Sequence, residues 1–149
     1  MLNCVPLLLS WSPVQHTRSG VLGMSTLAQS MLQCQRWAII GDVLNQQKPA
    51  SEVVACLRDA GKTTHLINPR DKTGTLHKQL TDVGEPIDAV NLIINSRDGL
   101  TQVGQMAQCG IKQLWIQPGA GSDEITTLAA ANGIEVHHGC VLIDMGWRH

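Results

Sequence analysis

The chain contains neither phenylalanine nor tyrosine, and its aromatic content rests on four tryptophans. Its core must therefore be built from Val, Ile, Leu, Ala and Met, which suits parallel strands covered by helices on both faces. An excess of charge of one sign is lacking too, since eleven Lys and Arg against twelve Asp and Glu leave a formal net charge of -1. That balance excludes the broad basic surface of non-specific nucleic-acid binding while leaving room for a small anionic ligand. No apolar run approaches the roughly 18 residues of a membrane span. The longest early run, Val5 to Leu9, is broken by Pro6. The five cysteines, Cys4, Cys34, Cys56, Cys109 and Cys140, form no C-x-x-C pair and no even-numbered framework. Neither a structural zinc site nor a disulfide scaffold is indicated, and the thiols are expected to be reduced and mostly buried.

What is present fits one packed domain, because 149 residues with 43% hydrophobic content are too few for two ordinary domains. The first acidic residue is Asp42, and the segment before it is rich in Ser, Gln and Leu. Residues 1–35 are therefore expected to be an amino-terminal extension, disordered or targeting, ahead of a folded domain over 36–149. Met24 is an alternative start. The expected compartment is the cytoplasm, or a mitochondrion or plastid if residues 1–35 act as a transit peptide.

From Trp37 onward, short aliphatic runs alternate with amphipathic segments, the signature of repeated βα units. Strands are expected at Trp37 to Ile40, Thr64 to Asn68, Ala89 to Asn95, Gln113 to Gln117, and Glu135 to His138. Helices are expected from about Ala50 to Asp59 with Ser51 as cap, Gly99 to Gln108 behind Asp98, and Asp123 to Asn132 behind Ser122. A short helix is placed around Leu76 to Leu80, and the tail after Cys140 is expected to lie over the domain surface. The class is α/β: a three-layer, doubly wound, Rossmann-like and mostly parallel five-stranded sheet in a single domain.

In such a sheet the ligand crevice lies outside the carboxyl ends of the strands, where helix N-termini attract phosphate. Four loops carry the chemistry. The first holds Gly41, Asp42, Val43, Lys48 and Pro49 and lacks the second and third glycines of the G-x-G-x-x-G fingerprint, which argues against a conventional NAD site. Gly41 permits a sharp turn, and Lys48 near the helix start can meet a phosphate; the plainer reading is a tight turn with a solvated lysine. The second loop, Asn68-Pro69-Arg70-Asp71-Lys72, brings two cations to the same side, Arg suiting bidentate phosphate contact. The third offers Asn95, Ser96 and Arg97. The fourth, from Gln117 to Ser122, has Gly119 and Gly121 for close backbone approach. Either of the last two also reads as a plain turn with a helix cap. His137, His138 and Cys140 form the only local cluster suggestive of nucleophilic or metal chemistry. Adjacent strand residues point to opposite faces, and Cys140 is equally a small core residue.

Taken together and in this order, the stretches Trp37-Ala38-Ile39-Ile40-Gly41 with Lys48-Pro49, Ile67-Asn68-Pro69-Arg70, Leu114-Trp115-Ile116-Gln117-Pro118-Gly119 and Gly139-Cys140-Val141-Leu142 resemble the stand-alone CoA-binding domain family. These are relatives of the CoA-binding domain of the succinyl-CoA synthetase α subunit. The resemblance spans about residues 36 to 145. It implies that coenzyme A or an acyl-CoA binds with its pyrophosphate near the Gly41 loop and its adenosine towards Asn68 to Lys72. The binding set it points to is Gly41, Asp42, Val43, Lys48, Pro49, Asn68, Pro69, Arg70, Lys72, Asn95, Ser96, Gln117, Gly119 and Cys140. The chain departs from the common pattern at Asp42, where a small residue is usual and an anion would repel the pyrophosphate, and at Asn95-Ser96. The expected function is a non-catalytic module binding a small-molecule nucleotide ligand, without nucleic acid or membrane; a homo-oligomer fits this size. The rival readings are a thiol-redox protein forming a mixed disulfide with CoA through Cys140, and an NAD(P)-binding oxidoreductase or sensor on the same scaffold.

Overall fold

The computed structural model describes residues 24–148. The element order is α1 (Thr26–Leu32), β1 (Arg36–Gly41), α2 (Pro49–Asp59), β2 (Thr63–Ile67), a 3-10 turn (Leu80–Asp82), β3 (Ala89–Ile93), α3 (Ser96–Cys109), β4 (Gln113–Ile116), α4 (Asp123–Ala131), β5 (Glu135–His138) and α5 (Val141–Asp144). The strands form one sheet in the order β2-β1-β3-β4-β5, and every pairing is parallel. The doubly wound expectation holds, with a sheet parallel throughout rather than mostly so.

Burial follows position in the sheet. Trp37, Ala38, Ile39 and Ile40 of β1 and Val90 and Leu92 of β3 are fully buried, as strands covered on both faces require. The edge strands carry the polar residues Thr63, Thr64, Glu135 and His138. One face packs Ala38, Ile40, Leu92 and Leu114 against Val103 and Met106 of α3 and Ile125 and Ala129 of α4. The other packs Trp37, Ile39 and Trp115 against Val53 and Leu57 of α2, Met31 of α1 and Val141 of α5. At the opposite edge of the sheet from the loops of interest, Arg36 and Asp88 tie β1 to β3: Nε and Nη2 donate to the two carboxylate oxygens at 3.2 and 3.0 Å. Such a forked pair fixes register as well as charge.

Several local expectations change. Helix α1 falls in the stretch read as an extension, yet Ser25 caps it and Ala28 and Met31 are fully buried. Residues 1–23 of the expected extension, Cys4 among them, lie outside the described part of the chain. Ser51 does not cap α2; it lies in the first turn, donating its hydroxyl to the Lys48 carbonyl at 3.0 Å, and Pro49 opens the helix behind Lys48. Helix α3 starts three residues earlier than expected because the Asn95 side chain, not Asp98, accepts the capping N–H. No α-helix spans Leu76 to Leu80; the segment ends in the 3-10 turn, docked by the Leu80 and Thr81 N–H groups donating to Gln102 and Gln105 of α3 at 2.9 and 3.0 Å. The thiols are not uniformly buried and reduced: Cys56 is buried, Cys140 half-buried and Cys109 exposed as free thiols, while Cys34 is disulfide-bonded.

Candidate functional site

The sheet order reverses between β1 and β3, because α2 carries the chain from β1 to one side and the later crossovers carry it to the other. At that switch the loop after β1 and the loop after β3 diverge, and a cleft opens beyond the strand ends. Its volume is about 720 Å³, and it is lined by Asp42, Lys48, Pro49, Ala50, Asn68, Arg70, Lys72, Ile93, Ile94, Asn95, Pro118, Gly119 and Ala120. Eight of the residues expected from the sequence meet there: Asp42, Lys48, Pro49, Asn68, Arg70, Lys72, Asn95 and Gly119.

The remaining six do not line it. Gly41 ends β1, Pro69 and Ser96 flank lining residues, and Val43 is a buried core residue packed with Val53 and Ala50. Gln117 is 2% exposed, and its carbonyl oxygen accepts from the Asn91 amide at 3.3 Å and from the Val141 N–H at 3.0 Å. Cys140 stands at the start of α5 with no side-chain capping bond. Conversely, Ala50, Ile93, Ile94, Pro118 and Ala120 line the cleft without having been singled out. Ile93 and Ile94 read as strand interior because β3 was expected to run to Asn95; it stops at Ile93.

Helix α2 presents its amino end to the cleft. Lys48 precedes it without a side-chain capping bond, Pro49 at the first helical position carries no N–H, and the Ser51 N–H donates to the Lys48 carbonyl at 3.1 Å, so what the opening meets is the positive end of the helix dipole. Asp42 opposes them from the same loop; it is exposed and accepts from the Asn45 amide at 3.2 Å.

The loop after β2 is organised by its own side chains. Asn68 Oδ1 accepts the Arg70 N–H at 2.9 Å. The Asp71 carboxylate, only 5% exposed, accepts from the Thr73 hydroxyl at 2.7 Å and from the backbone N–H groups of Thr73, Gly74 and Leu76 at 3.2, 2.9 and 3.3 Å. The Thr73 hydroxyl bond, followed by these backbone donors, holds the Asp71 carboxyl below the ordinary range despite burial. Asp71 is therefore the scaffold that presents Arg70 and Lys72.

Arg70 also reaches across the cleft, its Nε donating to Asp98 Oδ2 at 2.7 Å. Asp98 is bound in turn by Asn95, whose amide donates to the same oxygen at 2.9 Å. Bonds from Arg70 and then Asn95 hold the Asp98 carboxyl below its usual value. This bridge joins the β2 loop to the start of α3 and was not legible from spacing. Lys48 and Lys72 make no ion pair among the described residues.

A second cavity of about 640 Å³ lies beyond the ends of β4 and β5, lined by Ile116, Gln117, Pro118, Gly119, Gly121, Ser122, Asp123, Thr126, His138 and Gly139. It shares Pro118 and Gly119 with the first. His137 and His138 point to opposite faces as expected: His138 lines this cavity, whereas His137 packs edge-on against Trp115, ring centroids 4.4 Å apart, with Nε2 3.7 Å from Asp144. Cys140 lines neither cavity. No cluster of three metal-ligating side chains occurs among the described residues, and no described helix is long and apolar enough to cross a membrane.

A family model described as a CoA binding domain matches residues 35–146. Among solved structures, a hypothetical protein from Pyrococcus horikoshii superimposes with a TM-score of 0.75 at 18% identity, over 89% of this chain and 96% of its own. A conserved hypothetical protein from Pyrococcus furiosus gives 0.65 at 23% identity, over 74% and 98%. A protein from Thermus thermophilus gives 0.71 at 22%, over 79% and 93%. These likenesses establish the fold. No curated protein matches.

Proposed function

The chain belongs to the CoA binding domain family, and from that premise we propose that the cleft binds coenzyme A or an acyl-CoA as a small, non-catalytic nucleotide-binding module. The observation that carries the reading is the meeting of Lys48, Arg70 and Lys72 with the uncapped amino end of α2 in one cleft at the switch point. The positive end of the α2 dipole, with Lys48 beside it, suits a pyrophosphate. The turn from Asn68 to Lys72 suits the adenosine and its 3'-phosphate. Among the described residues Lys72 makes no ion pair there, whereas Arg70 shares its charge with Asp98.

Parallel calorimetric titrations of the full chain with CoA, dephospho-CoA and NAD test this. The expected result is saturable CoA binding that weakens about tenfold without the 3'-phosphate, a loss typical of one charge-assisted contact, with NAD weaker still. Lys72→Ala removes most of the difference between CoA and dephospho-CoA. Absence of saturable CoA binding would overturn the proposal.

A further inference from the structure

Resting on the CoA reading, we infer that the second cavity, beyond β4 and β5, is an acyl pocket that takes a short, uncharged acyl group carried on the CoA thiol.

The argument begins with the order of the loops along the carboxyl edge of the sheet, which follows the strand order β2-β1-β3-β4-β5. Asn68 to Lys72 follow β2, Lys48 and the start of α2 follow β1, Ile94 and Asn95 follow β3, and Pro118 to Ala120 follow β4. A ligand with its nucleotide over β2 and its pyrophosphate over β1 has one direction left for its extended arm. That direction runs across β3 towards β4 and β5. From β1 to β5 is three strand spacings, about 14 Å, a span suited to an extended arm and too long for the nucleotide alone.

The second cavity lies at the end of that path. It shares Pro118 and Gly119 with the first. Gly119 has a φ of 87°, and a Cβ built there would have nothing within 4 Å, so at Gly119 the divide between the two cavities bears no side chain. Past it, Ile116, Gly121 and Gly139 give a short apolar wall, and Gln117, Ser122, Asp123, Thr126 and His138 make the rest of the lining polar. Gly121 leaves room because a Cβ there would already touch Ile116 and His138 at 3.4 Å.

The charge of the acyl group follows from Asp123, which lines the pocket at the first position of α4. Its carboxylate offsets the positive end of that helix and repels an acyl group ending in a second carboxylate. With Asp123 in the lining and no Lys or Arg to pair a second carboxylate, the pocket favours acetyl to butyryl over succinyl.

The test compares affinities of the full chain for CoA, butyryl-CoA and succinyl-CoA, for wild type and Thr126→Phe. Thr126 is exposed on α4, so the phenyl group fills the pocket from the solvent side without entering the core. Wild type is expected to bind butyryl-CoA about tenfold more tightly than CoA, the gain from burying a few methylenes, and succinyl-CoA no more tightly than CoA. In Thr126→Phe the butyryl-to-CoA ratio falls to about one. A wild-type ratio near one, a preference for succinyl-CoA, or a ratio unchanged in Thr126→Phe overturns the acyl pocket while leaving CoA binding intact. No binding of CoA itself overturns the parent reading instead.

Discussion

The side-chain carbonyl of Gln117 accepts the backbone N–H of Val141, 24 residues later in the chain, at 3.0 Å. Two residues earlier, the Trp115 indole donates to the Gly139 carbonyl at 2.9 Å. The two side chains thus grip both sides of Cys140 and seat α5 on the sheet. Gln117 also takes the Asn91 amide in the middle of β3, whose own oxygen has no partner. The Trp-x-Gln pattern and the later Gly-Cys are parts of one structural clamp.

Gln117→Leu removes this acceptor and strands two buried donors, the Val141 N–H and the Asn91 amide. Each unsatisfied buried group costs about 1–3 kcal/mol, so the variant should lose roughly 2–4 kcal/mol of stability in urea denaturation with the slope unchanged. A loss under about 1 kcal/mol would show that the clamp holds nothing the fold needs.

The sequence disclosed most of the scaffold because apolar runs in Trp37 to Ile40 and Leu114 to Ile116 and the punctuation by Gly110 and Ser122 depend only on neighbours in the chain. It disclosed the cleft where the ligand side of the sheet could be inferred from strand ends, which is why Lys48, Asn68, Arg70 and Lys72 converge. What it hid was polar and long-range. Gln102 and Gln105 are polar side chains on α3, yet they are buried and accept backbone N–H groups from the 3-10 turn. The Arg70–Asp98 bridge joins residues 28 apart, and no periodicity encodes it. Helix α1 was hidden because seven residues of TLAQSML carry too little amphipathic pattern to stand out from a polar leader.

Among the described residues Asp42 is the one anion lining the cleft at the switch point, beside the lysine and helix end proposed to hold a pyrophosphate. Asp42→Ser removes a like charge several ångströms from the ligand, and a unit charge at that range in a solvated site is worth roughly three- to fivefold in affinity. Calorimetry at low ionic strength should show CoA binding strengthened by that factor, with the gain shrinking below about twofold in 0.5 M salt as screening takes over. Unchanged affinity at low salt would place the pyrophosphate away from the Gly41 loop.

Asp71 sets a pH dependence whose direction is fixed by its bonds. Its folded carboxyl titrates below the ordinary value, chiefly through the Thr73 hydroxyl, so its contribution to stability is complete above the unfolded value of about 3.9 and is lost as the pH falls through the lower folded value. Asp98, held low by Arg70, acts in the same sense. Asp71→Asn should therefore be less stable than wild type at neutral pH, and the gap should narrow on acidification below about pH 4. Thermal melts of the two proteins between pH 2 and 7 check this. A gap that stays constant would mean that the carboxylate charge contributes nothing to the loop.

Gly41 separates two explanations of the same residue. Read from the sequence, it serves a sharp turn after β1. In the structure its φ is not positive; it is the last residue of β1, paired with Ile93. A Cβ there would sit against the Ile93 carbonyl oxygen and 2.9 Å from Ile93 Cγ2. The first of those neighbours is backbone, which cannot rotate away, so β1 and β3 would have to part at the floor of the cleft. Gly41→Ala should cost about 2–3 kcal/mol, as overpacking in a well-filled core does, and should weaken CoA binding as well because the loop carrying Asp42 to Lys48 starts from the displaced strand end. Urea denaturation and a CoA titration of the same sample read both effects. Full stability with weakened binding would return Gly41 to the turn; loss of both would establish that it is there for the approach of the two strands.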